Sequence, residues 1–275
     1  MSDQTGNASN SDIPSSAEAN SAEDALFQIG IELGRSIVAK VNLVSGSDGE
    51  ELAYKGAMLF FFCKAYKTYQ AAYVLHREGF SEDAFILART VFELALQARY
   101  MKEDPKARAR LFTEYDPVAR YRYYLRLQKL GVTDEIQKFK THQHELKLDE
   151  MKQYYDRLHK IYPANKGWWG ESIYWLAKHL GKEMEKRYVA VYWMQSNLVH
   201  SGTTAVKEYL REHAGGLQIN CSPSKTDGAM PAQEITLFFL DIAGHVTEAL
   251  ELNLNDNVSK ALEKFRSILG IAPEL

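Results

Sequence analysis

Apolar residues recur every three to four positions along most of the chain, which is the period of an α-helix. The pattern predicts a first helix over residues 22–44, a second over 51–78, a third over 81–100 and several more up to residue 269. No stretch shows the period-two alternation of a strand, and no hairpin signal has any strength. The sequence therefore predicts an all-α protein, a multi-helix bundle in which residues 21–275 form a single domain.

The second half of the chain contains more helix-breaking residues than the first. A fourth helix starts at Asp104-Pro105, and we expect a kink or break at Pro117, because proline removes a backbone donor and clashes with the preceding turn. A more polar helix is predicted over residues 134–161. A loop over residues 162–167 and a short helix over 171–180 are expected next. A further helix begins near Glu183, loosens at Ser201-Gly202 and resumes to about His213, before a long loop over residues 214–231 that is rich in glycine and proline.

The first twenty residues differ in composition from the rest. They are polar and small, with no basic residue and no apolar run, so they are not a signal peptide and are predicted to be a disordered leader over residues 1–20. No apolar run approaches the roughly 20 residues needed to cross a bilayer, so no membrane partner is expected. Only Cys63 and Cys221 occur, which fits a reducing, cytoplasmic location, and Cys63 is expected in the core.

The chain has no overall basic character that would attract nucleic acid. Its formal net charge is −3, so RNA binding would depend on a local patch. Residues 105–132 provide one, with seven basic side chains against two acidic ones and several interleaved tyrosines. Basic and aromatic side chains together are typical of single-stranded nucleic-acid binding. The predicted RNA-binding residues are Arg120, Arg122, Tyr124 and Arg126. The alternative is a solvated basic face with tyrosines at its edge.

Polar residues of the third helix form one stripe. Between positions 84 and 98 only Arg89, Thr90, Glu93 and Gln97 are polar. Arg89 and Glu93 are one turn apart, so the guanidinium and the carboxylate can meet. One interpretation is a surface salt bridge worth under about 1 kcal/mol. The other is that the stripe faces a groove between helices and lines a site.

A second polar stripe lies about a hundred residues further on. Tyr188, Tyr192, Ser196 and His200 occupy successive i, i+4 positions and share one line of a helix. If this helix packs beside the third one, Arg89, Glu93, Ser196 and His200 could converge. They would supply a permanent cation, a carboxylate that fixes an imidazole tautomer, and a titratable imidazole. The alternative is a buried network that only fixes how the two helices pack.

The two stripes together carry a resemblance to known families. The strings Leu87-Ala88-Arg89-Thr90-Val91-Phe92-Glu93 and Tyr192 through Ser196 to Val199-His200, with the Trp-rich turn between them, resemble the bacterial domain-of-unknown-function family 5677. More distantly, the arrangement is similar to the HEPN superfamily of helical bundles. Its ribonuclease members carry Arg-x-x-x-x-His on a late helix and build the active site across a dimer interface. Here the position five before His200 is Gln195, so the arginine would have to be Arg89.

The resemblance implies a HEPN-like, metal-independent ribonuclease of RNA processing or of toxin-type bacterial antiphage defence. Its catalytic residues would be Arg89, Glu93, Ser196 and His200. The histidine would move a proton at the RNA 2′-hydroxyl while the arginine stabilises phosphorane charge. The alternative is a non-enzymatic ligand-binding or sensor module, favoured by Gln195 and by the absence of a strong catalytic motif.

The sequence also bears on metal binding and on oligomeric state. Clustered cysteines and paired Glu-x-x-His motifs are absent from the sequence, so neither a metal nor a cofactor is expected. His142 and His144 are two positions apart and would lie on different sides of a helix. The predicted helices over residues 51–78 and 233–254 are apolar on more than one face, which favours a homodimer. A large bundle could instead cover both helices within one chain.

Overall fold

A computed structural model describes residues 16–41, 45–141, 146–200, 203, 206–213, 215–219, 222–223 and 229–271. The helices are α1 Ser16–Lys40, α2 Gly49–Arg77, α3 Ser81–Glu103, α4 Pro105–Leu130, α5 Thr133–Thr141, α6 Leu148–Leu158, α7 Ile173–His179, α8 Lys182–Arg187, α9 Trp193–Val199, α10 Val206–Tyr209, α11 Ala229–Ala249 and α12 Asn255–Ile268. A π-helical turn, Tyr188–Tyr192, joins α8 to α9, and two strands, β1 Leu210–His213 and β2 Gly216–Ile219, follow α10. The predicted all-α class is confirmed.

The main core lies where α2, α3 and α11 pack together, with α1 and α12 alongside. Tyr69 of α2 is fully buried there, and its hydroxyl lies 2.8 Å from the Thr236 hydroxyl and donates to backbone carbonyls of α1. Gly30 makes this approach possible, because a Cβ at that position would lie 2.5 Å from the Tyr69 ring. α1 and α2 therefore pack closely at this glycine.

The two helices that motivated the homodimer are largely covered within one chain. α11 packs against α1, α2, α3 and α12, and its apolar residues from Ile235 to Val246 are mostly buried. α2 contacts α1, α3, α4 and α11, although Phe60 and Val74 stay more than half exposed. The bundle therefore accounts for most of the apolar surface without a second copy, and the homodimer stays a prediction.

A smaller layer is built on α4 by α5 and α6. Asp104 accepts a hydrogen bond from the Ala107 N–H, Pro105 occupies the first turn, and Gly131 ends the helix in the left-handed region, as the sequence indicates. Contrary to expectation, α4 does not break at Pro117, which is buried inside one continuous helix. Tyr121 and Tyr124 form a satellite cluster with Phe139 of α5 and Met151 of α6.

Several predicted boundaries were wrong. The helix expected to reach His213 ends at Tyr209, and the chain then forms an antiparallel hairpin in which Leu210 pairs with Ile219. The helix predicted over residues 134–161 is two helices, and His142 and His144 lie outside the described residues. Residues 1–15 also lie outside them, and α1 begins at Ser16, within the segment predicted as a leader.

Two further findings concern the exposure of Cys63 and the length of the apolar helices. Cys63 is exposed on the outer face of α2, so its expected place in the core was wrong. Phe62, the preceding residue, faces the core. Because neighbouring residues of a helix point about 100° apart, an apolar run places some of its side chains on the outer face. Within the part of the chain that the structure describes, no helix combines the length and apolar character needed to cross a bilayer.

Candidate functional site

The polar stripe of α3 faces a neighbouring helix. Arg89 Nε donates to Glu93 Oε1 at 3.0 Å, as the one-turn spacing predicts. The two side chains are 21% and 33% exposed, so the pair is partly covered by neighbouring residues and does not lie on an open surface. The interpretation of an isolated surface salt bridge therefore does not describe it.

Tyr192 closes this pair into a three-membered network. Arg89 Nη2 donates to the Tyr192 hydroxyl at 2.7 Å, and that hydroxyl donates to Glu93 Oε1 at 2.9 Å. The guanidinium carbon also lies 4.5 Å from the centre of the Tyr192 ring, a cation–π distance. Each of the three polar groups therefore contacts the other two, and the network joins α3 to the helix a hundred residues further on.

The tyrosine of this network is held in its protonated form. Burial raises the pKa of Tyr192 well above its usual value, and the Glu93 carboxylate adds to the shift while Arg89 opposes it. Burial likewise raises the pKa of Tyr188, whose ring stacks on Tyr192 at 4.5 Å. The Tyr192 hydroxyl thus acts as a hydrogen-bond donor to Glu93 at neutral pH and does not act as a base.

The π-helical turn places Tyr192 opposite α3. Such turns, with hydrogen bonds from residue i to i+5, are rare and are found mostly as short insertions at functional sites. Here the turn ends at Tyr192, the residue that bridges Arg89 and Glu93. The irregular backbone and the polar network therefore coincide at one point of the fold.

His200 and Ser196 are not part of the network. The chain runs antiparallel to α3 here, because His179 contacts Glu103 at one end and Tyr192 contacts Arg89 further along. His200 lies eight residues beyond Tyr192, about 12 Å further along the helix axis. Among the described residues, neither the exposed imidazole nor the Ser196 hydroxyl makes a hydrogen bond with the network.

Gln195 lies inside the protein. It is 0% exposed, and neither its amide nitrogen nor its amide oxygen has a hydrogen-bond partner among the described residues. This is the position at which the HEPN resemblance would lead one to expect an arginine. An arginine here would be buried, so the backbone presents this position to the core and not to a substrate.

The predicted RNA-binding residues divide by exposure. Arg120 and Arg126 are exposed, and Arg120 pairs with Asp116 one turn away at 2.7 Å. Arg122 is half-buried and donates to the backbone carbonyl of Tyr162. Tyr124 is 6% exposed and stacks on Phe139, so its ring is covered by α5 in this conformation.

Comparison with known proteins identifies the family. The profile described as "Family of unknown function (DUF5677)" matches residues 55–217, which is more than half of the chain. The chain belongs to the DUF5677 family. The match covers the Arg89–Glu93–Tyr192 network and His200, and it ends within β2, before α11. Comparisons with curated proteins and with solved structures found no significant match.

Sequence reasoning missed two features of this DUF5677 chain. The first is Trp193, which is 56% exposed and directly follows Tyr192. Trp193 and His200 are seven residues apart and therefore lie on the same outer face of the helix. The second is a bidentate ion pair between Arg99 of α3 and Asp241 of α11, with two contacts of 2.7 Å. Arg99 and Asp241 are 142 residues apart, so no local sequence pattern indicates that they form an ion pair.

Proposed function

We propose that the DUF5677 chain cleaves single-stranded RNA without a metal, using the groove between α3 and α9. The observation that carries the proposal is the half-covered Arg89 guanidinium, held between Glu93 and Tyr192. Beyond Tyr192, the same helical segment carries the exposed Trp193 and His200. Trp193 offers a ring on which a base can stack, and Arg89 offers a cation to a phosphate.

The reaction follows from the chemistry of these groups. The His200 imidazole takes the proton of a 2′-hydroxyl, and the 2′-oxygen attacks the adjacent phosphorus. The bond from phosphorus to the 5′-oxygen then breaks, and the leaving oxygen takes a proton from water. The hydroxide that remains takes back the proton that His200 had removed. The products are a 2′,3′-cyclic phosphate and a 5′-hydroxyl. Arg89 stabilises the negative charge on the phosphorane, while Glu93 and Tyr192 hold the guanidinium in place.

His200 and the Arg89 network of one chain are about 12 Å apart along the helix axis, too far to act on the same phosphate. The Arg89 that stabilises the phosphorane beside a given His200 would therefore belong to a second copy of the chain. The homodimer belongs to the same proposal, because a second copy could bring its own His200 towards Arg89. Exposed Val189 and Trp193 would then contribute apolar contact to the interface. The role in bacterial defence also remains part of the proposal.

The test is cleavage of a fluorescent single-stranded RNA in EDTA. Wild type is expected to release a fragment with a 2′,3′-cyclic phosphate, and a substrate with a single 2′-deoxy sugar at the cut site is expected to be resistant. His200→Ala should reduce kcat/KM at least about 100-fold, since general-base groups contribute 10²–10⁴. His159→Ala, which changes a half-buried histidine beyond α6, is the matched control. Equal cleavage by wild type and His200→Ala would refute the assignment.

A second candidate function is a non-enzymatic binding module. It is favoured by the separation of His200 from the Arg89 network and by the burial of Gln195 where nucleases of this type place arginine. In that case wild type would bind the same RNA without cutting it, and Arg89→Ala would weaken binding while His200→Ala would not. A binding titration alongside the cleavage assay separates the two functions.

A further inference from the structure

A second cavity lies on a different side of α3. A cleft of about 460 Å³ opens between α3, α8, α11 and α12, within the range of small-molecule sites. Its described lining includes neither the Arg89 network nor His200. Most of it is built by α11 and α12, which the match to the family does not cover. It is therefore a separate feature from the proposed RNA site.

The interior of the cleft is apolar. Leu237 and the buried Phe238 of α11 meet Val258 and Leu262 of α12 there. Gly244 also lines the space, and a Cβ added to it would make only an ordinary contact of 3.6 Å with Val258. The packing of α12 against α11 therefore does not require a glycine at position 244.

Charged side chains around the cleft neutralise one another. Arg99 binds Asp241 through two contacts of 2.7 Å, and Lys102 binds Glu248 at 2.6 Å. On α8, Arg187 lies 3.3 Å from Glu183. The lining thus contains three cations and three carboxylates, each cation paired. An ion entering this partly covered space would be left uncompensated, which is costly.

Arg187 has one more acidic neighbour outside the lining. Glu234 lies 3.4 Å from it on α11. Burial raises the pKa of Glu234, while Arg187 opposes the shift. Glu234 does not line the cleft, so its carboxylate does not face a ligand bound there.

One polar atom of the lining has no hydrogen-bond partner. His245 Nε2 is buried and makes no hydrogen bond among the described residues. Its nearest acidic oxygen, Asp241 Oδ1, is 3.5 Å away and is already held by Arg99. Burial lowers the pKa of His245, Asp241 opposes this, and Lys102 and Arg99 add to it. At neutral pH the ring is therefore uncharged, and Nε2 can donate or accept one hydrogen bond with a ligand, depending on the tautomer.

We propose that this cleft binds a small organic molecule of zero net charge, with an aromatic or branched apolar body and one polar group that hydrogen-bonds His245. The apolar floor takes the body of the ligand by burial from water. The balanced ion pairs exclude a net charge. The buried imidazole nitrogen fixes the orientation, because it gains a partner only when the ligand is in place.

The test uses four small molecules that share the indole ring and differ in the charged groups attached to it. The probes are indole, L-tryptophan, indole-3-acetate and tryptamine, which carry no charge, a balanced charge, a negative charge and a positive charge at pH 7.5. Binding to the full chain is measured by isothermal titration calorimetry and by saturation-transfer NMR. Indole or tryptophan is expected to bind saturably, and the two charged probes at least about tenfold more weakly.

Substitutions of residues that line the cleft test whether the probes bind there. Gly244→Leu fills the space and should weaken binding at least about tenfold. Gly56→Leu makes the same change at an exposed position of α2 outside the cleft and should leave binding unchanged. His245→Phe keeps the ring but removes the nitrogens, and should also weaken binding about tenfold. If Gly244→Leu does not fold, His245→Phe decides the matter. Absence of saturable binding, equal binding by Gly244→Leu, or preference for a charged probe would overturn the proposal.

Discussion

Gln195 is expected to destabilise the fold, and replacing it with methionine should therefore stabilise the protein. Its side chain is 0% exposed, and neither amide atom has a partner among the described residues. A buried polar group without a hydrogen bond costs about 1–3 kcal/mol. Methionine has a similar volume and no such group, and swaps of similar volume cost less than about 1.5 kcal/mol. We expect Gln195→Met to gain about 2 kcal/mol, or a rise in Tm of about 4–8 °C.

Gln97 provides the matched control on α3. It is half-buried, donates to the Glu93 backbone carbonyl at 3.2 Å and accepts from Trp168 Nε1 at 2.8 Å. Gln97→Met removes both bonds and leaves the Trp168 N–H unpaired, so it should cost about 1–3 kcal/mol. The same chemical change is therefore expected to have opposite signs at the two positions.

Urea unfolding followed by circular dichroism measures both effects. The midpoint should move up for Gln195→Met and down for Gln97→Met, with unchanged slopes, because neither change alters the surface exposed on unfolding. If Gln195→Met lost more than about 1 kcal/mol, Gln195 would have to make a favourable interaction, and the reasoning from its unpaired amide would be wrong.

Three other predictions concern single side chains. Tyr192→Phe removes a hydroxyl that bridges Arg89 to a carboxylate, and should lower the free energy of unfolding by about 1.5–3 kcal/mol; a loss under about 0.5 kcal/mol in urea unfolding would contradict this. Because burial holds the pKa of His245 in the folded protein below its ordinary value of 6.5, wild type loses stability as the pH falls from 6.5 through the folded pKa. The Tm of wild type should therefore fall relative to that of His245→Phe in acid, and a constant difference would count against it. The exposed Cys63 should react with a thiol reagent in the native protein, faster as pH rises because the thiolate is the reactive form, whereas equal native labelling of Cys63→Ser would show that another thiol reacts.

The spacing of residues within one helix correctly predicted the contacts made within that helix. Arg89 and Glu93 meet because side chains four residues apart share a helix face, and Tyr192 was part of the second predicted stripe. His200 did not join them, because a line of i, i+4 positions also advances along the axis. Periodicity gives the face of a residue, but the level at which two helices meet depends on packing between distant segments.

Packing between distant segments also explains the residues whose surroundings were unexpected. Tyr124 carries no mark in the sequence that distinguishes it from Tyr123, yet the former is covered by α5 while the latter is 50% exposed. The hairpin after Tyr209 was missed because each strand has four residues, too few for an alternation to be recognised. The cleft depends on contacts between Arg99 and Asp241, which are far apart in the chain.

The π-helical turn marks a position at which chain length can change during evolution. Such a turn takes one residue more than an α-helical turn to complete nearly the same rotation, so losing a single codon there would leave an unbroken α-helix. The segments on either side would keep the faces that they present to α3. In relatives that are one residue shorter between the equivalents of Tyr188 and Tyr192, the tyrosine that ends this segment is therefore still expected to pair with the arginine of α3.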